Sequence, residues 1–317
     1  MHADRTTADE PRIHAIGVYL PEKRESNVAM AERFEFAGDF LEKKLGVRAR
    51  SVKDVGQSRT DLCVLAFEDL LARTQLNAED IQLALVVTQH PDVAVPHVAA
   101  IVHNRLGLAK HCMTFDVSQG CAGYCHALTI AMGVMESAKL DHALLFTCDP
   151  YSDLIEAEDR DVAMLFGDAA TVSYITRSGS GYRMLDSNFG TLPDSYRCLF
   201  FDDRLEMDGG AVFKFAAQSV PPSINTLLKR NDMTVDDVDL FLLHQGARYL
   251  VEFVRDRSRI PEAKAPYEAG DYGNTVSSSI PLMFQKHVAD AELDTILLSG
   301  FGVGFTWGNN LLQVTRV

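Results

Sequence analysis

Cys121 lies in the stretch FDVSQGCAGY, residues 115–124, one position after a glycine and at the point where an apolar strand gives way to a helix. Glycines at 120 and 123 permit a sharp, crowded turn there, the kind of elbow that displays a nucleophile. A thiol at a helix N-terminus meets unpaired N–H groups and the positive end of the macrodipole, which predicts a lowered pKa and a raised thiolate fraction. On that basis iodoacetamide should label Cys121 far faster than Cys125 or Cys63 at neutral pH. A cysteine alone is more often a packing residue, so its weight comes from company. His244 closes the apolar strand DVDLFLLH, Asn274 sits in the glycine- and serine-rich turn AGDYGNTVSSSIP, and SGFGVGFTWG, residues 299–308, carries four glycines directly after a strand. A strand-end histidine is usually a polar cap and a Gly-Asn-Thr asparagine is usually turn chemistry. Together with a cysteine they permit nucleophilic acyl transfer: the thiolate attacks a carbonyl, backbone N–H groups hold the oxyanion, and neutral His and Asn donate to a second carbonyl. The glycine loop lacks the lysine a phosphate loop would want.

These residues need a frame that brings them together. Short apolar runs (IHAIGVYL, LALVVT, MTFDV, HALLFTC, AATVSYIT, DLFLLH, TILLSG and NNLLQVT) alternate with helical stretches, the pattern of an α/β protein with buried strands. LNAEDIQLALVV from Leu76 is echoed by MTVDDVDLFLLH from Met233, and KLDHALLF around Leu140 by ELDTILLS around Leu293, at offsets of 157 and 153 residues. Each member of the first pair has a polar N-cap candidate, Asn77 or Thr234, before an acidic turn and a strand. Two echoes at nearly one spacing predict a duplicated α/β unit, residues 1–178 and 179–317, meeting at the RSGSG cluster.

Composition narrows the function classes. The 317 residues are 47% hydrophobic and 23% charged, enough for a large core. A formal charge of −14 weighs against a nucleic-acid partner. No apolar run long enough to span a membrane and no apolar leader segment stand out, so a cytoplasmic protein is expected. Six scattered cysteines without paired spacing predict reduced thiols and no metal site. Two local basic patches could meet an acidic partner: Lys43, Lys44, Arg48 and Arg50, and the helical set Arg248, Arg255 and Arg259; a solvated helix face is as good a reading of the second.

FDVSQGCAGY, LFGDAA, MDGGAVFKFA, LLHQG, GNTVSSSIP and GFGVGFTWG, in this order and with IHAIGVYLPEKRESN as a first strand, resemble the β-ketoacyl-ACP synthase III family of the thiolase superfamily over nearly the whole chain. The resemblance implies two fused α/β halves in a five-layered αβαβα arrangement and a homodimer. It implies that Cys121 takes an acyl group from acyl-CoA or acyl-ACP, that His244 and Asn274 stabilise the enolate as malonyl-ACP loses carbon dioxide, and that the N–H groups of Cys121 and Gly304, or a neighbour, form the oxyanion hole. An acyl carrier protein is the implied partner, with no permanent cofactor. Phe40, Lys44, Arg48 and Arg248 are the implied carrier or coenzyme A contacts, and Val95 and Phe213 the implied acyl-pocket residues. The grip on coenzyme A departs from the family: Phe40 stands at a tryptophan position, Lys44, Tyr249 and Asp153 at arginine positions, and Ala247 at an asparagine position. A carboxylate cannot replace a guanidinium in anion recognition, so a specialised fatty acid or polyketide pathway, with the acyl group delivered on a carrier protein or as an unusual thioester, is expected.

Three other readings compete. The acyl group could pass to a hydroxyl or amine with His244 as base and no decarboxylation. The chain could be a silent partner of an active ketosynthase, although intact Cys121, His244 and Asn274 argue against that. A thiolase-like enzyme would want a second cysteine near the glycine loop, and GFGVGFTWG has none.

Overall fold

The computed structural model describes residues 9–36, 39–160, 162–193, 195–290 and 292–316, so most of the N-terminal stretch read above for a leader segment lies outside the described residues. Along the chain come strands β1 (Arg12–Tyr19), β2 (Arg24–Ser26), β3 (Ala49–Ser51), β4 (Leu83–Val87), β5 (Met113–Val117), β6 (His142–Cys148), β7 (Ala170–Thr176), β8 (Gly181–Thr191), β9 (Leu199–Phe201), β10 (Leu205–Met207), β11 (Leu240–Leu243), β12 (Thr295–Gly302) and β13 (Thr306–Thr315). The helices are α1 (Val28–Arg33), α2 (Arg59–Arg73), α3 (Val98–Leu106), α4 (Gly123–Ala138), α5 (Gly209–Arg230), α6 (Arg248–Arg257) and α7 (Ser279–Phe284).

Nine strands form one ladder in the order β11-β12-β13-β8-β1-β7-β6-β4-β5. The order repeats about the β1/β8 junction, where Ile13 faces Tyr182. On one side β4 runs parallel to β6, and β6 antiparallel to β7. On the other β11 runs parallel to β12, and β12 antiparallel to β13. The sequence echoes fall on matching strands, β4 with β11 and β6 with β12. Their caps match too: Asn77 accepts from the Glu79 N–H, and Thr234 forms a reciprocal capping box with Asp237.

Alternation along the strands sorts the layers. Leu83, Leu85 and Val87 of β4 and Leu240 and Leu242 of β11 share one core with α4 and α7. The opposite faces go elsewhere: Ala84 and Val86 pack on α2 and α3, whereas Phe241 and Leu243 pack on α5 and α6. Reading through the molecule gives helix, sheet, helix, sheet, helix, the five-layered thiolase-like α/β fold. Among the described residues no helix is long and apolar enough to cross a membrane.

Two local expectations need correction. The sequence reading missed β8, eleven residues with the polar stretch Asp186-Ser187-Asn188 in its centre and mostly half-buried, so no apolar run marks it. Arg259 lies beyond the end of α6 with a left-handed φ of 59°, so the three-arginine helical face does not form. Arg248 and Arg255 instead pair with Glu252 and with Asp256 and Glu262.

Candidate active site

Two strand ends and one loop bring the three candidate residues together. Cys121 follows β5, His244 follows β11, and Asn274 comes in on the loop before α7; all three line one cavity of about 210 Å³. Its other walls are mainly apolar, including Phe40, Leu45, Phe166 and Leu250. The side chains are almost fully buried, Cys121 at 5%, His244 at 2% and Asn274 at 3% exposure.

Each polar group is aimed by a partner outside the cavity. The N–H of Val276 donates to Asn274 Oδ1 at 2.9 Å, and because a backbone N–H can only donate, the carboxamide must present its NH2 to the cavity. Val276 holds this position with a φ of 52°. For a β-branched residue that conformation is strained. Asn274 itself is clamped to the other half of the molecule, its N–H on Leu165 O at 2.9 Å and its carbonyl on the Gly167 N–H at 3.0 Å. The serine run behind it continues the stitching. Ser278 Oγ meets Thr147 Oγ1 of β6 at 2.9 Å, and Ser277 donates to the buried carboxylate of Asp149, which also accepts the Gln89 N–H at 2.8 Å. Burial raises the Asp149 carboxyl to about 6 against these hydrogen bonds.

His244 Nδ1 lies 2.7 Å from Ser279 Oγ. With that hydroxyl donating, Nδ1 is the acceptor and Nε2 carries the proton. Burial lowers the imidazole pKa to about 3, so the ring is neutral at any physiological pH. Phe301 stands edge-on to it, ring centroids 5.7 Å apart.

The sulfur departs from expectation. Burial pushes the Cys121 thiol up to about 12, with Asp149 adding to the rise and the N–H groups of Val303 and Cys121 opposing it. The helix begins at Gly123 with Ala122 as its cap, so the thiol stands outside the first turn and desolvation outweighs the dipole. Cys125 is likewise raised to about 12, so reactivity between the two is decided by access rather than acidity. Cys121 borders the cavity and Cys125 is wholly buried. Iodoacetamide is therefore expected to modify Cys121 before Cys125, at a rate that climbs about tenfold per pH unit from 7 to 10 as the thiolate fraction grows. A rate already flat at pH 7, read by peptide mass spectrometry, would contradict this placement.

The N–H that approaches the sulfur from the glycine loop belongs to Val303, not Gly304. Gly302, with φ 157° and ψ −122°, turns the chain so that the next amide faces Cys121. A Cβ on Gly302 would stand 2.6 Å from Cys121 Cβ and 2.8 Å from its sulfur, so only glycine fits. Gly304 turns away and lines a neighbouring cavity.

The expected carrier and acyl contacts separate. Phe40 lines the Cys121 cavity and stacks on Phe36, centroids 4.0 Å apart. Lys44 is exposed, and Arg48 is tied up by Asp271 in a two-pronged pair at 2.7 Å. Arg248 lies over the Tyr267 ring, while Tyr249 reaches the cavity. Phe213 does not line the cavity; it packs behind it against Tyr249 and Phe253. Val95 is 85% exposed on a loop and does not line the Cys121 cavity. Asp153 pairs with Lys53 at 2.9 Å and Arg59 at 2.8 Å. Sequence reasoning reached Val303 only as a neighbour of Gly304 and missed Ser279 and Asp149; the serine run was the one visible signal.

Two family models match the chain, 3-oxoacyl-[acyl-carrier-protein] synthase III over residues 115–193 and its C-terminal counterpart over 228–314. A curated relative, β-ketoacyl-[acyl-carrier-protein] synthase III 1 of Bacillus cereus, is 30% identical over 299 residues, covering 93% of this chain and 96% of its own. The solved β-ketoacyl-[acyl-carrier-protein] synthase III of Thermus thermophilus superposes with a TM-score of 0.89 at 27% identity, over 96% of this chain and all of the other. The priming β-ketosynthase of the R1128 polyketide pathway superposes at 0.86 with 26% identity, over 97% of this chain and 96% of its own.

Proposed function

The chain belongs to the 3-oxoacyl-[acyl-carrier-protein] synthase III family of condensing enzymes, and we propose that it joins an acyl group held on Cys121 to a malonyl unit carried by an acyl carrier protein. The observation that carries this reading is two neutral donors, Asn274 Nδ2–H and His244 Nε2–H, sharing a buried cavity with a cysteine sulfur. In the first step the Cys121 sulfur bonds to the acyl carbon, the donor thioester breaks, and the thiol proton leaves with the departing thiolate. In the second the bond between the malonyl carboxylate and its α-carbon breaks, carbon dioxide departs, and the electron pair spreads onto the thioester oxygen held by the two donors. That carbanion attacks the acyl-enzyme carbonyl. The N–H groups of Cys121 and Val303 hold the oxyanion until the thiolate is expelled and reprotonated.

A histidine whose basicity is lowered to about 3 donates well and accepts a proton poorly. This favours decarboxylation over transfer to a hydroxyl or amine, which needs a base. Carbon dioxide release from malonyl-ACP, stoichiometric with a β-ketoacyl product, is the expected outcome of single-turnover assays. Ester or amide formation without carbon dioxide would overturn it.

For donor delivery we favour an acyl carrier protein over coenzyme A. Arg48 is engaged by Asp271, and Asp153 adds a carboxylate where the family has a guanidinium. The expected kcat/KM for acyl-ACP exceeds that for the matching acyl-CoA by at least about tenfold, the loss of one charge-assisted contact. Equal values would return coenzyme A to the mechanism. A homodimer fits the edge of β5, which among the described residues pairs only with β4 and starts at the half-exposed Met113.

A further inference from the structure

A second cavity, about 410 Å³, lies across the 302–304 loop from the sulfur. Leu199 borders both cavities, and Val303, whose N–H reaches the sulfur, is a wall of the second. An acyl group on Cys121 that runs past Leu199 and Val303 would enter it.

This second space is apolar in part, with Leu154, Phe201 and Leu205 on its walls, yet three side chains bring amide or ring nitrogens to it, beside the hydroxyls of Ser118 and Tyr196. Gln89 Oε1 accepts from the Tyr151 hydroxyl at 2.8 Å, while the Thr306 hydroxyl, shared with Val303 O at 3.2 Å, lies 3.4 Å from the Gln119 carboxamide. The Gln89 carboxamide thus has its oxygen engaged and its NH2 without a protein partner among the described residues, and the Gln119 carboxamide makes only this one long side-chain contact. Gly120 makes room for this arrangement, since a Cβ there would lie 2.3 Å from Gln89 Oε1. The third donor is His90. Its Nδ1 lies 2.6 Å from Arg59 Nη2, and a guanidinium can only donate, so Nδ1 accepts and Nε2 carries the proton. Arg59 is in turn held by Asp153, which gives the carboxylate at that position a use: it braces the arginine that fixes the His90 tautomer. Among the described residues no carboxylate borders the cavity.

An alkyl chain filling this space would strip water from donors it cannot satisfy, whereas an oxygen function on the chain would accept from them. We infer that the acyl group loaded by this enzyme carries a neutral oxygen acceptor, a hydroxyl or keto group, a few carbons from the thioester. The inference rests on the reading of Cys121 as the acyl acceptor.

A competition test separates the two. The full-length enzyme is mixed with equal butyryl and 3-hydroxybutyryl N-acetylcysteamine thioesters, then with butyryl and 3-oxobutyryl, and the acyl-enzymes are weighed as intact protein. An oxygenated adduct in about tenfold or greater excess in at least one pairing is expected, the discrimination that one unsatisfied donor gives. Gln119→Leu and Gln89→Leu should each narrow that ratio by raising butyryl loading. Butyryl loading equal to or above both oxygenated chains in the unaltered enzyme, a measurement that needs no variant to fold, would overturn the inference and leave the proposed function standing. A ratio unchanged in both folded variants would overturn it as well. No adduct on Cys121 with any thioester would overturn the function and the inference together.

Discussion

Replacing Cys121 by alanine is expected to abolish the covalent acyl-enzyme and to lower condensation by at least about 10⁴-fold, the scale seen when a catalytic nucleophile is removed. Release of carbon dioxide from malonyl-ACP should survive within about tenfold, because the groups that hold the enolate are elsewhere: Asn274 keeps its bond to the Val276 N–H and His244 keeps Ser279. Intact-mass spectrometry and carbon dioxide capture on the same samples separate the two outcomes. The variant should fold, since removing one sulfur from a side that faces a cavity leaves little to repack. If unaltered enzyme and Cys121→Ala give the same null result with every donor, the chain is a silent partner and the proposed condensation is wrong.

The frame of the site was legible because buried strands announce themselves as apolar runs. Leu83–Val87 and Leu240–Leu243 are buried on both faces and read so in sequence. The duplicated order was legible for a related reason: Asn77 and Thr234 cap equivalent turns before equivalent strands. Thr191, at the end of the unread β8, pairs with Thr306 of β13 right beside the glycine loop, so the element least visible in sequence helps to seat the loop whose Val303 N–H meets the sulfur.

The three chemical residue types were legible, and their environments were not. Thiol acidity depends on how much water the fold removes, which no local spacing encodes; the helix-end argument named a real effect and missed the larger one. Choosing Val303 over Gly304 needs the backbone direction at Gly302, set by the close approach of Cys121. Ser279, Ser277 and Asp149 act across 35 to 128 residues of sequence separation, and no local window can contain both partners. Asp153 shows the reverse case. It was visible as a departure from the family, while its consequence, a braced Arg59 and an oriented His90, became visible only in three dimensions.

Removal of either donor opposite the sulfur is the second large effect. Asn274→Ala and His244→Ala are each expected to slow carbon dioxide release by about 10²–10³-fold, the usual cost of one preorganised donor to a developing oxyanion. Acyl-enzyme formation should change much less, because that step draws on the N–H groups of Cys121 and Val303 instead. Direction in pH follows from the same burial. An imidazole with a pKa lowered to about 3 is already neutral at pH 5, so raising the pH to 8 changes neither its charge nor its Nε2–H. His244 should therefore contribute no limb near 6.5, the ordinary histidine value, to single-turnover carbon dioxide release, and a limb near 6 that persists in His244→Ala belongs to the Asp149 carboxyl. A general base at His244 predicts the opposite, a rate that falls as acid protonates the ring. A limb centred near 6.5 that vanishes in His244→Ala would show proton acceptance by this residue and would remove the enolate-holding role assigned to it.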